Sequence, residues 1–282
     1  TELMQYPALP AHAMLTLNRC NLPAVVLGSV AFQLAPQPLW LDGVMELHRA
    51  FFQSLHAFDK AESRASCFRD YMSSCFLLDH LDQAGLNHQG NVCRPKADFL
   101  RTLRGWMFDA DSQEAAVLKG WAESRFGLLP RYHQGPLGDY HSESWLRFQA
   151  LRARGLYNTN ALEAQLDVLY AWCQYELKRR FPGQSHWTLF RGINHWQQHD
   201  VMPPEITAEN SRDRQQALVL LNNLNSFSSE KDYADAFGDQ LIKVDVPLVK
   251  LLYFPGLLPG VLPGEQEYLV IGGLYQVTLL RG

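Results

Sequence analysis

The chain has 282 residues and a net charge of −4, with 25 lysines and arginines against 29 aspartates and glutamates. Hydrophobic residues make up 47% of the chain, which excludes extended disorder as the main state, and the slight acidity argues against a nucleic-acid-binding protein. Because no stretch approaches the roughly 18 apolar residues of a membrane helix and the start lacks the pattern of a secretory signal, we expect a soluble protein of the cytoplasm.

The first 150 or so residues predict mainly helices. Apolar residues recur three or four positions apart in residues 41–55 and again in residues 99–108, as on one face of a helix. Ser112 precedes another helical stretch and could cap it through its hydroxyl. The longest pattern covers residues 161–180 and ends in three basic residues, which suit the negative end of a helix.

Beyond residue 183 the pattern changes to short strands. We predict strands over residues 187–192, 242–246, 267–271 and 274–280, because apolar residues alternate or form short runs bounded by glycine. The chain therefore predicts an α+β fold with a helical N-terminal half packed on a mainly antiparallel sheet. We expect a mostly helical region over residues 1–155 and a strand-rich core over residues 156–282, together forming one compact unit.

Three short segments of the strand-rich half contain candidate catalytic residues. Arg191 follows an apolar strand, Ser226 lies in a serine-rich segment, and Glu265 and Glu267 precede a further strand. This order resembles that of the arginine-specific mono-ADP-ribosyltransferases, whose signature is an Arg, a Ser-x-Ser and a Glu-x-Glu on a split sheet. The serine motif departs from the common Ser-Thr-Ser because Phe227 is its middle residue.

Segments in the front, middle and back of the chain resemble the members of that family that regulate nitrogenase. They lie in residues 17–23, 117–128 and 253–260. The resemblance implies that residues 156–282 form an NAD-binding ADP-ribosyltransferase core with a split sheet. It also implies transfer of ADP-ribose from NAD to an arginine of dinitrogenase reductase, the nitrogenase iron protein, with release of nicotinamide. This modification would switch off nitrogen fixation, and a PII signalling protein is a further candidate partner.

The residue types of the signature suit this chemistry. Cleaving the nicotinamide–ribose bond develops positive charge on the ribose, which a carboxylate such as Glu267 stabilises. Glu265 could hold and partly deprotonate the target arginine, because residues two apart in a strand face the same side. Ser226 would orient both Glu267 and the NAD ribose by hydrogen bonds, and the planar fork of Arg191 would bind the NAD pyrophosphate.

Further residues near these motifs are candidates for contact with NAD or with the protein target. Gly192 could let the backbone approach nicotinamide closely, and Asn225, Phe227 and Lys231 could contact the rest of NAD. The proline-rich residues 254–264 are either a target-recognition loop or an ordinary connector. We predict no metal site, because the pair His195 and His199 lacks the glutamate of a metalloprotease motif.

Two other functions remain open from the sequence. The protein could be a transferase that acts on a different arginine protein, or an NAD glycohydrolase, in which Glu265 would matter less than Glu267. It could also be a catalytically silent binding module with the same fold. Release of free nicotinamide from NAD distinguishes an enzyme from a binding module.

Overall fold

The structure is a computed structural model that describes residues 6–79, 97–194, 216–262 and 266–280, together with the backbone of residues 201–202. Its N-terminal half is helical, as predicted. The helices are α1 (Ala24–Leu27), α2 (Val30–Leu34), α3 (Val44–Leu47), α4 (Arg49–Ser54), α5 (Ala61–Phe76), α6 (Phe99–Phe108), α7 (Gln113–Phe126), α8 (Glu143–Leu156) and α9 (Leu162–Arg180).

Side-chain caps determine where the central helices begin. Asp98, Ser112 and Ser142 precede α6, α7 and α8, and each side chain accepts a hydrogen bond from the backbone N–H three residues further on. Such caps satisfy N–H groups that the first helical turn leaves without a partner. The predicted cap at Ser112 is therefore confirmed.

The predicted helix over residues 41–55 is wrong as a single element. It consists of α3 and α4, which are separated at His48, where φ is −105° and ψ is 19°. His48 is buried, and its Nδ1 lies 2.6 Å from the hydroxyl of Tyr71 in α5. Apolar spacing continues across this break, which is why periodicity alone did not reveal it.

The C-terminal half contains two antiparallel sheets. The strands are β1 (His186–Ile193), β2 (Val201–Met202), β3 (Gln216–Leu220), β4 (Leu224–Phe227), β5 (Gln240–Pro247), β6 (Leu251–Tyr253), β7 (Tyr268–Ile271) and β8 (Leu274–Leu280), with a short helix α10 (Lys231–Asp235) after β4. One sheet has the order β1-β5-β8-β3-β2 and the other has the order β4-β7-β6. The prediction of an α+β fold is confirmed, but β7 begins after Glu267, so this glutamate precedes the strand in which we expected it.

The two halves share a continuous hydrophobic core, in which side chains of the helices pack against both sheets. Helix α2 lies on β5 and β8, where the amide of Gln33 donates to the carbonyls of Asp245 and Gln276. The predicted division at residue 155 remains a prediction. Within the described ranges, no helix is long and apolar enough to cross a membrane.

An antiparallel bridge joins the two sheets between β1 and Ser228, the residue that follows β4. Phe190 N–H donates to the Ser228 carbonyl at 2.7 Å, and Ser228 N–H donates to the Phe190 carbonyl at 2.8 Å. Away from this bridge, β1 pairs with β5 in one sheet and β4 pairs with β7 in the other, so the two sheets diverge. The divergence leaves Arg191 and Ser226 beside the gap between the sheets.

Candidate active site

The structure brings Arg191, Ser226 and Glu267 together where the sheets diverge. The Arg191 guanidinium donates from Nη1 to the backbone carbonyl of Ser226 at 2.7 Å. The Ser226 hydroxyl donates to Oε2 of Glu267 at 3.2 Å. Three segments that are distant along the chain therefore form one connected polar group.

The electrostatics of this group reflect its partial burial. Burial raises the pKa of Glu267, while the Ser226 hydrogen bond and the Arg191 charge oppose that rise. Burial lowers the pKa of Arg191 to about 10, and Glu267 opposes that shift. The guanidinium therefore stays charged at neutral pH, and the carboxylate carries a charge that the protein stabilises less well than water does.

Trp106 is also part of this group, although it lies outside the three sequence motifs. It lies in α6 and is 2% exposed, and its indole Nε1 donates to the Ser226 hydroxyl oxygen at 2.8 Å. A buried tryptophan normally finds a partner for its N–H, so the sequence did signal that some acceptor was needed. It did not identify Ser226, because the two residues meet only through tertiary packing.

A second polar cluster lies behind the Trp106 ring. Lys119 of α7 is fully buried, with Nζ 5.6 Å from the centre of that ring and 3.0 Å from Nδ1 of His133. It also donates to Oδ1 of Asp111 at 3.3 Å. Burial lowers the pKa of Lys119 to about 8, opposed by Asp111, and lowers that of His133 to about 4. No motif of the sequence had indicated this cluster.

The four other residues predicted to contact NAD differ in their burial and contacts. A Cβ on Gly192 would lie 2.3 Å from the carbonyl oxygen of Ala234, so the close packing of β1 against α10 explains this glycine. Asn225 is 2% exposed and donates to the Asn222 carbonyl at 2.7 Å, and Phe227 is also buried. Lys231 is exposed at the start of α10.

The predicted site residue Glu265 lies outside the described part of the chain, and so do His195 and His199, for which we predicted no metal site. Of the proline-rich residues 254–264, the structure describes 254–262. Leu257 and Leu258 of this segment are buried, and Arg180 of α9 donates to the Gly256 carbonyl at 2.9 Å. This part of the segment is therefore attached to the core, with Gly256, Pro259 and Gly260 exposed.

The sequence of the chain matches the model of the dinitrogenase reductase ADP-ribosyltransferase family over residues 17–279. The chain belongs to this family. The resemblance described from the sequence is thereby confirmed. The matched residues include both the helical half and the strand-rich half of the chain.

A relative from Rhodospirillum rubrum supports the same assignment. It is named NAD(+)–dinitrogen-reductase ADP-D-ribosyltransferase and is 38% identical over 263 residues, covering 92% of this chain and 93% of its own. No solved structure matches the chain significantly. Among the residues that the structure describes, no group of three or more His, Cys, Asp or Glu side chains could hold a metal ion.

Proposed function

We propose that this protein transfers ADP-ribose from NAD to an arginine side chain of dinitrogenase reductase and thereby switches off nitrogen fixation. The bond between ribose C1 and the nicotinamide nitrogen breaks, and a bond from a guanidinium nitrogen to C1 forms. Neutral nicotinamide leaves, and the guanidinium gives up one proton. The observation that carries the proposal is the group formed by Arg191, Ser226 and Glu267 in a chain that belongs to this family.

Glu267 is the carboxylate that we assign to the ribose. It is half-buried and accepts one hydrogen bond, from Ser226, among the residues that the structure describes, so its other acceptor positions are open to a substrate hydroxyl. A desolvated carboxylate interacts strongly with positive charge that develops on the ribose in the transition state. Arg191 uses one N–H on the Ser226 carbonyl, and the remaining donors of its fork suit the NAD pyrophosphate.

The direct test is incubation of the protein with labelled NAD and purified dinitrogenase reductase. We expect label on one arginine of the target, located by mass spectrometry of its peptides, together with an equal amount of free nicotinamide. A Glu267→Gln sample provides the matched control. Nicotinamide without labelled target would instead support a glycohydrolase, and neither product would support a silent binding module.

Glu265 is proposed, from the sequence alone, as the base that accepts the guanidinium proton. We expect Glu265→Gln to reduce transfer to arginine by about a hundredfold or more while slow release of nicotinamide from NAD continues, because water needs less activation than a guanidinium. The two activities are measured on the same sample. An equal decrease in both would assign Glu265 to NAD binding or to strand structure.

The proposal also covers the regulator of the protein and its location in the cell. A PII signalling protein is the proposed regulator, and the cytoplasm is the proposed location because the protein target and NAD must be accessible together. Copurification of a PII protein with the full chain from cells grown with and without ammonium tests the first point. Fractionation of the same cells tests the second.

A further inference from the structure

We propose that Trp106 is a positioning residue of the transferase, which fixes the Ser226 hydroxyl so that its proton is directed at Glu267. The proposal rests on the function proposed above for Ser226 and Glu267. The proposal gives the helical half of the chain a role in orienting the Ser226 hydroxyl. The Arg–Ser–Glu signature contains no residue of that half.

The geometry is a directed chain of two hydrogen bonds. Trp106 Nε1 donates to the Ser226 hydroxyl oxygen at 2.8 Å, and the hydroxyl donates to Glu267 Oε2 at 3.2 Å. An indole N–H can only donate, whereas a serine hydroxyl has one proton and two acceptor positions. Because the indole occupies an acceptor position, the proton of Ser226 is left to point at the carboxylate.

The indole also makes Ser226 a better donor. A hydroxyl that accepts one hydrogen bond is polarised and donates the next one more strongly, especially where water is excluded. The effect favours the ionised form of Glu267, against the burial that raises its pKa. Without the indole, the hydroxyl can rotate toward other acceptors, and the carboxylate loses part of its support.

Packing holds Trp106 in this position. It is 2% exposed, in a helix whose N-terminus is capped by Asp98 and whose Arg104 donates to the Val261 carbonyl at 3.4 Å. The Arg104 contact therefore attaches α6 to the segment that precedes β7 in the described chain. An aromatic ring with two rotatable side-chain bonds loses little freedom when it is fixed in this way.

Several charged groups surround this chain and must be considered in any pH profile. Arg191 faces Glu267 from β1, and Lys119 lies over the Trp106 ring from α7 beside His133 and Asp111. The pKa of His133 is lowered to about 4 and that of Lys119 to about 8, whereas that of Glu267 is raised from its ordinary value. Protonation of the Glu267 carboxylate gives the acid limb of the activity profile, and burial moves this limb to higher pH than for an ordinary glutamate.

The test is Trp106→Phe, which keeps an aromatic ring and removes the donor. We expect kcat for transfer to fall about 5- to 10-fold, as the loss of one hydrogen bond in a desolvated site predicts. We also expect KM for NAD to stay within about twofold and the acid limb of the profile to move to higher pH. A raised KM with an unchanged kcat would overturn the proposal, because Trp106 would then be a substrate contact.

Two other tryptophans provide matched controls. Trp121→Phe also removes an indole hydrogen bond, which goes to Asp167 at 2.8 Å in the helical half. Trp172→Phe removes an indole whose Nε1 has no hydrogen-bond partner among the described residues. Both variants should keep the wild-type kcat and acid limb. A shift of the acid limb as large as that of Trp106→Phe in either control would contradict a specific role for Trp106.

A double-mutant cycle tests whether Trp106 acts through Ser226. Trp106→Phe should lower kcat little further in a Ser226→Ala background, because the hydroxyl that it positions is already absent. Additive losses would overturn the proposal. If Glu267→Gln remained active, the proposed function itself would fail; if Glu267→Gln were inactive and Trp106→Phe fully active, only the role of Trp106 would fail.

A further measurement uses no Trp106 variant, so it does not depend on whether such a variant folds. In protein labelled with ¹⁵N at the indoles, one indole N–H signal should shift in Ser226→Ala and follow the titration of Glu267. The same signal should lose that titration in Glu267→Gln. Indole signals that are unaffected by both substitutions would contradict the hydrogen-bonded chain.

Discussion

Two groups of this protein each combine arginine with glutamate, and they differ in how deeply the carboxylate is buried and in how many hydrogen bonds it accepts. In the helical half, Glu176 is fully buried and accepts from Arg64 at 2.7 and 3.0 Å and from Arg180 at 2.5 Å. At the gap between the sheets, Glu267 is half-buried and accepts from Ser226 at 3.2 Å. Two arginines donate directly to the Glu176 carboxylate. Arg191, by contrast, donates to the backbone carbonyl of Ser226.

The difference separates a structural carboxylate from one that is available to a substrate. Arg64 also donates to the carbonyls of Phe58 and Asp59, so both partners of the helical pair are bonded within the protein. Pairing with Glu176 raises the pKa of Arg64, while burial raises that of Glu267. A buried ion pair is held by its own geometry, but a desolvated carboxylate with open acceptor positions can interact with incoming positive charge.

The largest effect is expected for Glu267→Gln. We expect transfer and nicotinamide release to fall by about a hundredfold or more, corresponding to about 3–4 kcal/mol of transition-state stabilisation. The melting temperature should stay the same or rise, because a raised pKa means that the fold disfavours the ionised carboxylate above that pKa. Turnover above a tenth of wild type, measured with labelled NAD, would remove Glu267 from the catalytic role.

For Glu176→Gln we expect a loss of stability without a loss of activity. This change leaves Arg64 and Arg180 without a full counter-charge in the core, so the free energy of unfolding should fall by about 3 kcal/mol. Denaturant titration measures the loss, and activity per folded molecule should be unchanged at low temperature. Lower turnover at full folding would mean that the helical pair supports the site directly.

The sequence predicted the elements that depend on local patterns. Strand β5 has clean alternation, α9 has a long apolar face, and Ser112 provides a cap, so each was identified from its neighbours in the chain. The contacts of Trp106 and Lys119 have no such local pattern. They depend on how α6 and α7 approach β4, and Trp106 lies 120 residues before its partner Ser226. The break of the helix at His48 is likewise a tertiary effect.

A smaller effect is expected for Arg191→Lys. An ammonium cannot reproduce the planar fork, so we expect NAD binding to weaken about tenfold, or about 1.4 kcal/mol. Calorimetric titration of NAD measures this, beside thermal melts of the same sample. Arg104→Lys is the matched control, because Arg104 is exposed on α6 and donates only to the Val261 carbonyl within the described residues. Unchanged NAD affinity with a much lower melting temperature would make Arg191 a structural residue.

The smallest effect is expected at an exposed pair of the same chemical type. Arg147 Nη2 lies 2.7 Å from Glu143 Oε1 in α8, with side chains that are 45% and 87% exposed. Water already solvates both charges, so Glu143→Gln should change the free energy of unfolding by less than about 0.5 kcal/mol. Added salt should remove most of that difference, because it screens exposed charges but hardly affects the Glu176 pair. A loss as large as that of Glu176→Gln would show that the arginine–carboxylate contact alone, rather than burial and full bonding, determines what these pairs contribute.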